Sequence, residues 1–451
     1  MHVQISDQTH FSRFASEAQP RDGASLRLAL LLLALNLLSA ALFIARVNRP
    51  VYDDGFNIYD VHQYAVRGLS LDSLRSQRNA PGPTSFIWMS LAVRLIGGNE
   101  LRDARIGAFL SWLLLGMALL FGARFSRNPE LWYGALLALL VFPHAVEAAS
   151  TVLTEGPALF FALVGALAWT EFVSRADSSA TTWLCGMLGG LFLGLAVTCR
   201  QYNLALLPAA ALVAAGQFRG RERRWAGRVL VSLALSAVPV LLLISVWKGI
   251  ANPSIESGTS YNMMYKASTG LSLTRPAIAL LSVCFYLIPL AFPLMLRVPS
   301  TLRWRMLAIA AIVGLAAGHW NEELLQPGPL NTILGIVGRA LHSQAIPLGF
   351  VAAVAAYNTL ALGLALWDQR NAFLSSPAAG FALLLVVFFV AEQFGVGGNI
   401  PFYDRYVLLV APFLGVIAFA VLPTLDRLRV FVLIALSFLS HFVLWRNALS
   451  N

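Results

Sequence analysis

Apolar residues fall into long unbroken runs separated by short polar breaks, from Leu26–Ile44 near the start to about 430–445 near the end. A spanning helix needs roughly 20 apolar residues, because the hydrocarbon layer is about 30 Å thick and lipid satisfies no bare backbone group. Such runs recur near 26–44, 106–121, 131–147, 155–170, 184–199, 203–216, 229–247, 276–296, 304–318, 346–367, 378–391, 405–422 and 430–445. They predict an all-α polytopic membrane protein with about thirteen transmembrane helices.

Between the first two runs, Pro83–Ile96 forms a shorter apolar segment with Arg94 inside and Gly97-Gly98 behind it. Proline at a first turn and glycine past the last are start and stop signals. The segment is too short to cross, so an interfacial helix is expected. The N-terminal apolar run is long enough to span, follows a long polar head and precedes Arg46-Val47-Asn48-Arg49 instead of a small-residue cleavage site. It reads as a retained first helix behind a cytoplasmic tail, residues 1–25, with 46–105 as the first outer loop. No internal repeat or low-complexity linker divides the chain, so 1–451 reads as one integral domain.

Composition narrows the class. A mean hydropathy of +0.70 exceeds what a water-soluble domain hides in its core. The net charge of +10 comes from arginines clustered between apolar runs, which sets topology and does not grip nucleic acid. Cys185, Cys199 and Cys284 are isolated, without a CxxC or a cysteine–histidine cluster, so neither a disulfide framework nor a zinc site is read.

Counting crossings from a cytoplasmic N-terminus puts Arg124–Arg127, Arg175, Arg219–Arg228, Arg297–Arg305, 368–370 and 426–429 inside, as the positive-inside rule requires. The Asp53 loop, Glu147–Glu155, Arg200–Asn203, 252–275, 319–343 and 392–405 then share the opposite face. Nearly all the chemically interesting side chains lie on that face.

Tyr52-Asp53-Asp54-Gly55 opens the stretch where carboxylates, amides, His62 and aromatics crowd together. Adjacent side chains diverge by about 100° on a helix, so Asp53 and Asp54 cannot aim at one point; Asp-Asp-Gly reads equally as a polar turn. Glu155 opens a helix, where a carboxylate favours the positive dipole end whether or not it has a further role. Arg200 interrupts two apolar runs, at a cost of about 2.5–3.5 kcal/mol at membrane depth. It either snorkels outward or meets a phosphate or Glu155. Arg405 opens another helix and pairs with Asp404 or serves the site. His62 reads as a structural hydrogen-bonding residue or a site residue.

Taken in order, these residues resemble the C-type (GT-C) membrane glycosyltransferases, and among them the dolichyl-phosphate-glucose α-1,2-glucosyltransferases. That family's Asp-Glu-x-Phe-His-Ile resembles Asp53-Asp54-Gly55-Phe56-Asn57-Ile58, with Tyr64 behind and a Pro-Gly at Pro81-Gly82. Its Thr-Glu-x-x-x-x-Phe-Phe resembles Thr154-Glu155 through Phe160-Phe161, its Arg-Gln-Thr-Asn resembles Arg200-Gln201-Tyr202-Asn203, and its late Arg-Tyr resembles Arg405-Tyr406. The likeness is good over about 50–205 and rests afterwards on that last pair. Glu has become Asp54 and His has become Asn57.

The resemblance implies a hexosyltransferase with a GT-C-like bundle, using a polyprenyl-phosphate sugar as donor and inverting the anomeric centre. It implies Asp53 and Asp54 as the catalytic acids, with Asp53 as base and Asp54 in support. It also implies Arg200 and Arg405 on the donor phosphate, and Tyr52, His62, Glu155, Gln201 and Asn203 around them. The expected partners are membrane lipid, the lipid-linked hexose and a glycan or lipid-linked acceptor, with no nucleic acid and no obligate protein partner. No metal ligand set or further cofactor is read; a role for a divalent metal is left open. Arginine- and alanine-rich sequence with only Lys248 and Lys266 as lysines, and no N-glycosylation sequon, suggests a bacterial relative using a shorter polyprenol, and the crossing count then puts its site on the periplasmic side of the inner membrane. The alternatives are a polytopic transporter or lipid flippase, and a non-catalytic lipid-phosphate-binding relative. Transporter sites lie near the midplane, whereas these charges sit at helix ends on one face.

Overall fold

The computed structural model describes residues 23–51, 53–175, 179–218, 223–249, 271, 273–320, 329–396, 402 and 404–449. Tyr52, nearly all of the polar tail, positions 219–222 of the arginine cluster and most of the 252–275 loop lie outside the described residues. So do 321–328, 397–401 and 403.

Among the described residues every regular element is an α-helix or a 3-10 turn. Among the described residues ten helices are long and apolar enough to cross a membrane: Ala24–Arg46, Glu100–Phe125, Glu155–Ser174, Ala180–Cys199, Arg223–Trp247, Thr274–Ala291, Ser300–His319, Ala345–Asp368, Pro377–Gly395 and Arg427–Arg446. The chain is a multi-pass membrane protein.

The other three expected runs are broken. Near 131–147 the helix Pro129–Leu140 stops and a short helix, Ala145–Ser150, follows after a turn. Near 203–216 a 3-10 turn, Gln201–Ala205, precedes Leu206–Gln217. Near 405–422 the turn Asp404–Leu409 precedes Ala411–Val421. Hydropathy averages across such breaks, but each stands beside a proline, Pro143, Pro208 or Pro412, which donates no N–H. Irregular backbone at this depth persists only where protein groups satisfy it. Asn36, buried on the first helix, donates from Nδ2 to the Leu140 carbonyl at 3.3 Å, where Pro129–Leu140 ends.

Small residues let the spans pack backbone to backbone. A Cβ on Gly190 or Gly194 would lie 2.1 and 2.2 Å from the carbonyl oxygens of Ser232 and Ser236, so Ala180–Cys199 and Arg223–Trp247 touch along their main chains.

The segment between the first two spans is itself a small helical layer. Asp54–Arg67 buries Asn57, Asp60, Val61 and Tyr64 on one face and ends at Gly68, with φ of 74°. Pro83–Ile96 begins with its proline at the first turn and ends at a left-handed Gly97, as its sequence predicts. At about 1.5 Å per residue, 14 residues fall short of the hydrocarbon thickness. Arg94 ties the two helices together, donating from Nε to the Ala65 carbonyl at 2.7 Å and from Nη2 to the Tyr64 carbonyl at 2.8 Å.

Candidate active site

Asp60 organises the loop that leads into Pro83–Ile96. Its carboxylate accepts the backbone N–H groups of Arg78 and Asn79, each at 2.9 Å, and the Asn79 side-chain amide at 2.7 Å. Burial pushes this carboxyl above its ordinary value, against those donors. The loop then docks on the end of Ala180–Cys199. Gly82 N–H donates to the Cys199 carbonyl at 3.0 Å, and Gln201 Nε2 donates to the Ala80 carbonyl at 2.8 Å. A Cβ on Gly82 would lie 1.9 Å from the Thr198 carbonyl oxygen, so glycine alone fits there. Asn203 donates from Nδ2 to the Ala196 carbonyl at 2.9 Å and closes the same helix end. Gln201 and Asn203 thus hold the frame of the site.

The adjacent acids part company. Asp54 is fully buried: Oδ2 meets Arg105 Nη2 at 2.5 Å and accepts Val51 N–H at 3.0 Å, while Oδ1 accepts Val152 N–H at 2.5 Å. Burial raises its carboxyl from the ordinary value; Arg105 and the two N–H groups oppose the rise. Arg105 also donates to the carbonyls of Val47 and Arg49, so this pair locks the segment that follows the first span to that span's end. Asp53 points the other way, 37% exposed, and its Oδ2 stands 2.7 Å from Arg405 Nη2.

Arg405 links two halves of one cluster. Its Nε lies 3.9 Å from Oε1 of Glu155, a carboxylate only 1% exposed that also pairs with Arg200 Nη2. Burial would lower the Arg405 pKa, but Glu155 and Asp53 reverse this, and Tyr406 and Glu147 add smaller contributions. Arg405 therefore stays protonated. The sequence leaves Arg200 to a phosphate or to Glu155 and Arg405 to Asp404 or the site; in the structure Arg200 pairs with Glu155, and Arg405 reaches both Asp53 and Glu155. His62 is turned to the surface, with Nδ1 2.7 Å from Glu100 Oε1.

Aromatic and charged side chains beyond the expected site residues complete the cluster. The guanidinium carbons of Arg200 and Arg405 stand 5.8 and 5.9 Å from the Tyr406 ring centre, and the Tyr202 ring packs on Tyr406 at 4.8 Å. Arg275, buried at the start of a distant span, donates to the Tyr202 hydroxyl at 2.9 Å and to Gln393 Oε1 at 3.0 Å. Glu147, whose field reaches Arg405, is paired with His144 at 2.7 Å. No group of three or more His, Cys, Asp or Glu suited to hold a metal ion occurs among the described residues. The arrangement offers two guanidinium forks for oxyanions beside one partly exposed carboxylate able to take a proton.

No family model matches the sequence, and no curated protein matches it. Among solved structures, ArnT from Cupriavidus metallidurans bound to undecaprenyl phosphate is similar with a TM-score of 0.40 and 16% identity, covering 92% of this chain and 77% of that one. The Archaeoglobus fulgidus oligosaccharyltransferase tethered to an acceptor peptide gives a TM-score of 0.36 and 15% identity, covering 85% of this chain and 55% of that one. The same organism's AglB, in complex with an inhibitory peptide and a dolichol-phosphate, gives 0.36 and 13%, covering 82% and 56%.

Proposed function

We propose that the protein is a membrane glycosyltransferase that moves a hexose from a polyprenyl-phosphate donor to a hydroxyl of a glycan or lipid-linked acceptor. The reaction takes place on the periplasmic face of a bacterial inner membrane. One observation carries this reading: Asp53, Glu155, Arg200 and Arg405 converge at the ends of helices, where a lipid phosphate would sit with its tail still in the bilayer. The motif resemblance over about 50–205 supports the same chemistry.

In this mechanism Arg405 and Arg200 face the donor phosphate, with Glu155 fixing Arg200. The acceptor oxygen attacks the anomeric carbon while its proton passes to Asp53. The bond from that carbon to the phosphate oxygen breaks, and the phosphate leaves with the electron pair. One displacement inverts configuration. A placed base is worth roughly 10² to 10⁴ in rate, and cationic groups at the departing oxygen add to that. The Arg105–Asp54 pair positions the loop that presents Asp53.

The test is a panel of radiolabelled polyprenyl-phosphate hexoses offered to purified protein in nanodiscs with mixed lipid and glycan acceptors. The expected result is release of polyprenyl phosphate matched by label in an acceptor. Movement of intact donor between leaflets of proteoliposomes, with no donor consumed, would make the protein a flippase instead.

A further inference from the structure

Arg405 holds the one carboxylate that the proposed reaction needs free. With Asp53 Oδ2 at 2.7 Å from Arg405 Nη2, that oxygen is occupied by a guanidinium and is not available to a hydroxyl proton. The two ion pairs of the cluster differ. Glu155 is enclosed at 1% exposure, whereas Asp53 is 37% exposed at the start of the helix Asp54–Arg67. An enclosed carboxylate cannot leave its cation without burying an uncompensated charge, while an exposed one exchanges its partner for water at little cost. Charge balance points the same way. Arg405 already faces two carboxylates, Asp53 and Glu155, so an arriving phosphate anion brings a further negative group to the same guanidinium. Like charges repel most where water is scarce.

Building on the glycosyltransferase reading, we propose that the lipid phosphate takes the place of the Asp53 carboxylate on Arg405, so that donor binding itself frees the base. The displaced carboxylate is repelled by the phosphate and turns toward the exposed side, from which an acceptor hydroxyl approaches. Glu155 stays on Arg200 and keeps that arm of the cluster fixed. In the absence of donor, Oδ2 of the base stays on Arg405.

The exchange makes a counterintuitive demand on binding: removing the catalytic carboxylate should strengthen the hold on the leaving group. Binding of sugar-free polyprenyl phosphate to protein in nanodiscs is measured for the parent, Asp53→Asn, Asp53→Ala, Arg405→Gln and the double variant Asp53→Asn/Arg405→Gln. Asp53→Asn and Asp53→Ala are expected to bind about two- to fivefold tighter than the parent, the scale of one partly exposed ion pair. Arg405→Gln should bind more weakly, and adding Asp53→Asn to it should bring no gain. Polyprenol, which lacks the phosphate, should show no difference among the variants. Equal or weaker binding by both folded Asp53 variants, with the parent binding well, overturns the exchange and leaves the glycosyltransferase reading standing. Failure of the parent and every variant to bind polyprenyl phosphate overturns that reading as well.

Discussion

Replacing each member of the acidic pair by asparagine separates two roles that one dipeptide conceals. Asp54 shares a fully buried ion pair with Arg105 and also accepts two backbone N–H groups. Asparagine there leaves the Arg105 charge buried against the carbonyls of Val47 and Arg49 without its counter-ion. Breaking a buried pair from one side costs about 3–5 kcal/mol. Asp53 makes its ion pair with Arg405 while 37% exposed, and such pairs contribute about 1 kcal/mol or less. Asp53→Asn should therefore unfold within a degree or two of the parent, yet lose roughly 10² or more in turnover. Asp54→Asn should lose thermal stability first, and activity only in step with the folded fraction.

Thermal unfolding in detergent, followed by turnover scaled to folded protein, reads both effects. A second construction sharpens the stability arm: replacing Asp54 and Arg105 together by apolar residues of similar volume should recover most of the loss, because no charge is left uncompensated. Asp54→Asn as stable as the parent would refute the burial argument. Near-normal turnover in Asp53→Asn, with a well-folded Asp54→Asn inactive, would reverse the assignment of the base.

Arg200→Lys should lower turnover despite keeping the charge, and Arg200→Ala should lower it further with weaker donor binding, because lysine presents a point charge where arginine presents a fork. Glu155→Gln should be milder; parent-like donor affinity and single-turnover rate in Arg200→Ala would pass the phosphate to Arg405 alone. Gly82→Ala should destabilise the protein by about 1–3 kcal/mol or more, since its Cβ meets the Thr198 carbonyl and backbone must move; an unchanged melting temperature would contradict that contact. Cysteines placed near 60 and near 222 should label from opposite sides of the membrane. Asp60, whose carboxyl is raised by burial, binds a proton more readily in the folded chain than in the unfolded one. Its contribution is therefore complete at low pH and declines as pH rises through its raised value. Across that range the parent should lose melting temperature relative to Asp60→Asn, and parallel pH profiles would argue against it.

Hydropathy reveals the ten long spans because lipid imposes one requirement on all of them. The interfacial helix Pro83–Ile96 is equally legible, since its proline, its glycine and its length act locally. Crossing parity puts Glu155 and Arg200 at one end of the bundle, and there they meet. The breaks near 141–155, 200–206 and 402–410 escape the same reading because an average over apolar residues is blind to a turn among them. Arg105 meets Asp54 and Arg405 meets Asp53 across long stretches of chain. Contacts between segments so far apart in the chain leave no periodicity behind.

The breaks and the charges occupy the same place for a physical reason. A helix that stops inside the bundle leaves carbonyl and N–H groups that lipid cannot satisfy, so polar side chains and loops must come to it. Here Gly82 N–H reaches the Cys199 carbonyl, Asn203 reaches Ala196, and Ser85 reaches Thr154. Those partners bring the segment between the first two spans, and Asp53 with it, against the helix ends that carry Glu155 and Arg200. The third break delivers Arg405 and Tyr406 to the same point, where Tyr406 packs on Tyr202 and Tyr202 is held by Arg275. The groups gathered at these helix ends also surround Arg200 and Arg405. Substitutions that mend a break, such as replacing Pro412 by a helix-forming residue, should therefore straighten the backbone there and carry Arg405 away from Asp53 and Glu155, weakening polyprenyl-phosphate binding even where melting temperature rises.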